Sequence, residues 1–285
     1  MSPSSARALA LVLAVTTLAG CGASASTSSD EIRLTVTRDF GAEGVIALLR
    51  ERVPPAGGLA PIFQRYPNTR GSRSLFVNGM LPDKPASELE VHGDDRVWLD
   101  QHASAIAREI PAVVGSFPEP FLHGVDGKRL PVRVECDDPR AGACAAVAEK
   151  LVSLGVVAGR SIIGRSAADM TVRILVAPWK RLRGREFEAD SIDDGPRASG
   201  VFARFDASAQ RLLVLSADGT VARTLGAGTG LIAATRAKDR QPVWFVTGTD
   251  DAGVDAAARA LDESVLSDRF ALAISDDLPV AVPQP

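Results

Sequence analysis

An Asn-Gly pair between two apolar runs, "SLFVNGML" over residues 74–81, constrains the local fold more tightly than any other short stretch of this chain. A two-residue type I′ turn needs positive φ at both centres, which Asn and Gly tolerate best, so the stretch predicts strand, Asn78-Gly79 turn, strand. Upstream, "EIRLTVTR" (31–38) alternates cleanly, with Ile32, Leu34 and Val36 on one face and Arg33, Thr35 and Thr37 on the other. That is the pattern of a half-buried strand. "GVIALLRERV" (44–53) suits helix or strand equally, and Pro54-Pro55 and Gly57-Gly58 then break the chain. "LAPIFQRYP" (59–67) predicts a short helix ended by Pro67. "SELEV" (87–91) and "RVWLD" (96–100) predict two more strands, joined by the turn residues His92-Gly93-Asp94-Asp95.

The acids and histidines of residues 75–102 raise the question of a metal. A calcium loop places oxygen ligands at alternating positions around a central glycine, and these acids lack that spacing. Asp83, Asp94 and Asp95 fall at predicted loops, where short acidic side chains bond local amides. His92 and His102 stand ten residues apart at two strand ends with no third ligand fixed. Turn chemistry is the expectation, with no metal and no cofactor.

The same residues carry a resemblance. Phe76, Val77, Asn78 and Gly79, then Gly93 and Asp94, then Val97 and Trp98 follow the order of motifs in the β-grasp domain related to the carboxy-terminal domain of transcobalamin and intrinsic factor. "VTRDFG" (36–41) is similar to the first turn of bacterial members, and "VPPAG" (53–57) to the segment leading into their helix. The resemblance covers Glu31 to about His102 and departs in one respect: "RSLFVNG" (73–79) keeps only Phe76 where bacterial members carry more aromatics. It implies a β-grasp fold. It also implies kinship with corrinoid carriers, although no segment here resembles the helical barrel that shares that task.

Charge and composition exclude several classes. A formal net charge of −3 gives no electrostatic footprint for nucleic acid. With 5% aromatic residues and Tyr66 the single tyrosine, a broad aromatic carbohydrate platform is not expected. At the N-terminus, Arg7 precedes an apolar run, Ala8–Ala19, that suits a secretory signal and is too short for a permanent span. The run ends in Leu18-Ala19-Gly20-Cys21, which looks like a bacterial lipobox, with residues 1–20 removed and lipid attached to Cys21. Ala23-Ser24-Ala25 offers an ordinary cleavage site as the alternative. "GASASTSSD" (22–30) would be a flexible tether.

Beyond His102, residues 103–130 form an expected ordered connector, because Phe117, Phe121 and Leu122 call for burial. Residues 131–275 then read as an α+β domain. "LPVRVEC" (130–136), "TVRILVAPW" (171–179) and "PVWFVTG" (242–248) predict strands, and "GACAAVAEKLVSLG" (142–155) an amphipathic helix. "ASGVFARFD" (198–206), "QRLLVLSADGTVARTL" (210–225) and "GLIAATR" (230–236) predict antiparallel strands, with Asp218-Gly219 a hairpin turn. Residues 276–285 predict a frayed Pro-rich tail. In an exported chain Cys136 and Cys144 are an even pair suited to a disulfide, with two buried free thiols as the alternative.

Places where chemistry could lie are few. "LGAGTGL" (225–231) lacks the Lys-Ser/Thr of a phosphate loop and predicts a turn. Thr249 or Asp250 predicts a helix cap, although free amides there suit an anion. Lys180, Arg181, Arg183 and Arg185 form a basic cluster, read as a solvated face. No serine-hydrolase elbow is present. The fold class expected is α+β, an N-terminal β-grasp domain followed by a mixed α/β domain with antiparallel hairpins. The whole chain also resembles a group of actinobacterial lipoproteins. The function expected is a non-enzymatic binding or accessory module, membrane-attached through Cys21, for a small molecule such as a corrinoid or for an envelope protein. The alternatives are a scaffolding lipoprotein, or a hydrolase or transferase in the second domain.

Overall fold

A computed structural model describes residues 30–53, 58–65, 72–103, 106, 109–124, 127–164 and 170–284. The expected signal peptide, the lipid-bearing Cys21, the tether as far as residue 29 and most of the "VPPAG" segment lie outside the described residues.

Four strands open the chain: β1 (Glu31–Arg38), β2 (Glu43–Arg52), β3 (Ser72–Val77) and β4 (Arg96–His102), with the helix α1 (Ala60–Arg65) between β2 and β3. They make a mixed sheet of order β2-β1-β4-β3 in which the central pair, β1 and β4, is parallel. The ambiguous run after Gly44 is therefore strand, antiparallel to β1. The alternation in β1 decides which face is buried: Ile32, Leu34 and Val36 join Leu59, Ile62, Val97 and Leu99 in a core under α1.

Two expectations fail here. "SELEV" forms no strand, because both flanks of β4 are already taken by β1 and β3. Leu89 and Val91 instead plug the core from an irregular loop. Asn78-Gly79 does make its turn, with φ of 50° and 78°. Its second arm, however, is the single residue Met80, which bridges to Val77 and to Ala112.

The remainder is built on a seven-stranded sheet of order β14-β13-β11-β12-β7-β5-β6. Its parallel part comprises β5 (Val132–Cys136), β6 (Ala158–Ile162), β7 (Val172–Pro178) and β12 (Val243–Gly248). The strands β11 (Gly230–Thr235), β13 (Ala271–Ser275) and β14 (Leu278–Val282) add an antiparallel side. The helices α2 (Gly142–Ser153) and α6 (Asp251–Arg259) cover one face. The other face carries the short helices α3 (Trp179–Leu182), α4 (Phe187–Asp193) and α5 (Pro196–Ser199). It also carries a small sheet of β8 (Ala203–Phe205), β9 (Leu212–Leu215) and β10 (Val221–Leu225). The expected "ASGVFARFD" strand is thus only its last part, since residues 196–199 are helical. A last short helix, α7 (Glu263–Leu266), precedes β13. The whole is a mixed α/β structure.

The expected frayed tail is a correction. Asp276 and Asp277, at φ of 53° and 58°, turn β13 directly into β14. Pro279 is tolerated because β14 is an edge strand with one flank unpaired.

The two units share side chains. Phe76 and Trp98 of the first sheet pack with Ile110 and Val113 of the connector, and with Phe202 and Phe270 of the second unit, in one buried cluster. Phe270 is the hub, with Trp98, Phe76 and Phe40 rings at centroid distances of 5.1, 5.6 and 5.1 Å. All three cores lie between Ile32 and Val282, so a chain beginning at residue 22 holds every core side chain. Truncating Phe270 to alanine is expected to cost about 3–5 kcal/mol, as for a buried aromatic. Urea unfolding followed by tryptophan fluorescence measures it, and a loss below about 1 kcal/mol would contradict the hub.

Candidate functional site

The strand β4 sets the site. Its odd residues Val97 and Leu99 enter the core under α1, so Trp98, Asp100 and His102 line the opposite face, toward the second unit. Asp100 is fully buried. Its Oδ1 accepts from Phe40 N at 3.2 Å and faces His102 Nδ1 at 2.7 Å. Its Oδ2 accepts from Gly41 N at 2.9 Å and from the Thr37 hydroxyl. Thr37 in turn accepts from Trp98 Nε1 at 2.8 Å. The turn that offers those amides is left-handed at Asp39, Phe40 and Gly41, with φ of 50°, 58° and 80°. Gly41 is obligatory there, because a Cβ would lie 1.8 Å from the Asp268 carbonyl oxygen. His102 is 2% exposed, stacked on Phe40 at 4.1 Å and edge-on to Phe270. The Asp100–His102 pair thus looks like part of a catalytic dyad in outline, but it is walled from solvent and serves the seam.

Beside this network the second unit leaves part of the sheet uncovered, and a cleft of about 280 Å³ opens. Thr35, Arg33, Arg96 and Trp98 form its floor, and Ser116, Glu263 and Asp268 stand among its far-wall residues. The near lip is a β-bulge. Leu34 pairs with Leu49 and Val36 with Ile46, so Ala47 and Leu48 together face Thr35. Leu48 sits at φ 70° with 58% of its surface exposed. A leucine there is a backbone outlier that costs on the order of 1–3 kcal/mol, and such strain gathers at ligand clamps.

Charge in the cleft is only partly matched. Arg96 donates to the Phe117 carbonyl at 3.0 Å and to Glu263. Arg33 keeps its Nε buried without a partner, while its Nη2 lies 3.8 Å from Asp94. Asp268 interacts with Arg269, Arg96 and Asp100 through charge alone. Burial holds its carboxyl above the ordinary 3.8, against the pull of Arg269 and with a smaller push from Asp100.

The residues singled out in sequence fall elsewhere. Asp95 does bond a local amide, His92 N at 2.7 Å, but it also takes the Asn78 amide at 2.7 Å. Asn78 Oδ1 in turn accepts from Arg96 N, so the Val-Asn-Gly and Gly-Asp turns brace one another. Asp83 pairs instead with Arg236 across the units. Among the described residues no three His, Cys, Asp or Glu side chains converge as a metal site. The sulfurs of Cys136 and Cys144 lie at disulfide distance, with Cα atoms 6.1 Å apart. Asp250 caps α6 through Gly253 N and also holds Gly228 N of the glycine-rich turn, so its own carboxylate fills the anion position. In the basic cluster Arg183 is tied to Asp193 and to the carbonyls of Phe205, Asp206 and Ala207, and Arg181 lies 3.5 Å from Asp137. Sequence reasoning missed Asp100, His102 and Leu48 as determinants. Asp100 was legible as sharing a strand face with Trp98, opposite the core residues Val97 and Leu99.

The raised Asp268 has a consequence for stability. Between 3.8 and its higher folded value the native state binds the proton more readily than the unfolded chain, so stability falls as pH rises through that window. Asp268→Asn, tolerable at φ 59°, is expected to be more stable than the parent at pH 7. The gain should vanish below about pH 3.8 in urea titrations across pH. No described helix is long and apolar enough to cross a membrane. The chain matches no family model, no curated protein and no solved structure.

Proposed function

We propose that the protein is an extracytoplasmic binding module, held to the membrane by lipid on Cys21, whose ligand seats in the cleft at the seam of the two units. The observation that carries this reading is the joint occurrence, in one cleft, of a buried arginine Nε and a half-buried carboxylate that lack partners, under a strained leucine lip. Unsatisfied groups of this kind weaken a fold unless a ligand completes them.

The β-grasp reading of the first unit draws support from the order β2-β1-β4-β3 with a parallel central pair, and from α1 packed across one face. The lipobox-like residues support export and anchoring. A corrinoid is a different matter. Pockets that enclose drug-sized ligands hold about 300–1,000 Å³, and the cleft, at about 280 Å³, favours a ligand at or below the small end of that range. Its paired opposite charges fit a small zwitterion of the amino-acid type, free or at the end of a peptide. A binding role without catalysis is the reading adopted, because Arg33 and Asp268 offer opposite charges that a ligand can complete.

A thermal-shift screen of the chain beginning at residue 22 tests it, with free amino acids, dipeptides, cobalamin and cobinamide as probes. A zwitterion at a hundred times its Kd should stabilise by about 2.7 kcal/mol, and Asp268→Asn should abolish the shift. No response to any amino acid or dipeptide would overturn the ligand class, and a corrinoid response alone would return the function to that kinship.

A further inference from the structure

A second surface is built differently. At the amino-terminal ends of β5 and β6 an open groove of about 500 Å³ runs between Leu130, Pro131, Val156 and Val157, with Phe121 and Val132 at its base. Two arginines, Arg129 and Arg133, line it and no acid does. Arg129 donates to the Gly155 carbonyl at 2.9 Å, which holds it at the rim. Among the described residues neither arginine pairs with a carboxylate, in a chain with 35 acids against 32 Lys and Arg. Val157 is 89% exposed, the most exposed of the large apolar residues among those described.

The place of the groove matters as much as its lining. Where the described chain begins, the Glu31 carbonyl accepts from Asp94 N at 2.7 Å. The adjoining His92 ring rests on Gly127, where a Cβ would lie 2.6 Å from Nε2. Arg129 follows two residues later. A short run of contacts therefore links the start of the described chain at Glu31 to the rim of the groove.

We propose that this groove takes an anionic phospholipid of the membrane surface, with the phosphate on Arg129 and Arg133 and the hydrocarbon against Leu130, Val156 and Val157. The orientation toward the membrane rests on the lipid-anchor reading of Cys21, whereas the recognition does not. Apolar area and arginine charge act together in such contacts, and each arginine near an anionic surface contributes a factor of about five in affinity.

Flotation of the unlipidated chain beginning at residue 22 with vesicles separates the two readings, since it needs no anchor. Phosphatidylglycerol–phosphatidylcholine vesicles should carry the protein up the gradient, and pure phosphatidylcholine vesicles should not. The double variant Arg129→Glu/Arg133→Glu should bind at least roughly thirtyfold more weakly. Val157→Asp, at an exposed site where folding is not at stake, should also weaken it. Equal binding to both vesicles, binding that survives both variants, or no flotation at all would overturn the proposal, the last leaving the groove to an acidic protein partner. Membrane attachment of the full chain in cells that is lost in Cys21→Ser tests the anchor independently.

Discussion

One carboxylate organises the join between the two units. Asp100 is stripped of water, and an ion so buried is tolerable only where several donors replace the hydration it has lost. Those donors come from the left-handed turn at Asp39–Gly41, from Thr37 and from the His102 ring. Each of them is thereby fixed in place. The turn then brings Phe40 over His102 and against Phe202 and Phe270, and Gly41 against the Asp268 backbone. A polar network of this kind specifies one packing, because every alternative leaves a buried donor unpaired. The aromatic cluster supplies the apolar area, and Asp100 decides how it is arranged.

The same join leaves the cleft. Trp98 and Thr37 are covered by the second unit, whereas Thr35 and Arg33, earlier on the same face of β1, are not. Gly115 presses the connector onto the seam so closely that a Cβ there would meet Trp98 and the Arg269 backbone at 2.7 Å. The wall of the cleft is therefore rigid where it touches the seam. Its outer lip, the bulge at Ala47 and Leu48, lies on an edge strand whose far side is unpaired. A rigid wall opposite a strained lip suits the capture of a small ligand, and the desolvated Asp268, offset only by charge from Arg269 and Arg96, marks a place where stability has not been maximised.

Much of the fold was legible in the sequence, and what was not has particular physical causes. The alternation of β1, the Asn78-Gly79 turn and the Asp250 cap are local rules, and the local chain obeys them. "SELEV" alternates as a strand should, but β4, the strand that follows it directly, already has β1 and β3 on its two flanks, so the expected hairpin with β4 cannot form. The tail failed in the opposite sense. Its prolines suggested fraying, yet an Asp-Asp pair tolerates the left-handed turn and the edge of β13 was open. In sequence Asp100 reads only as the end of the strand "RVWLD" and His102 only as a metal ligand without a third partner, because their burial is not a local property. Their burial depends on Phe270, some 170 residues away, and the cleft is drawn from five separate stretches of the chain.

Native-state hydrogen exchange at the amides of Phe40 and Gly41 tests the role of Asp100 most directly. These two amides belong to a surface-adjacent turn outside any strand, and their protection comes from the Asp100 carboxylate. If the carboxylate holds the units together, both should exchange only through global unfolding, with the same free energy as the amides of β12 in the second unit. Exchange of the turn, or of β1 and β4 as a block, at a free energy several kcal/mol lower would contradict it. That result would make the first unit a separately opening domain docked on the second.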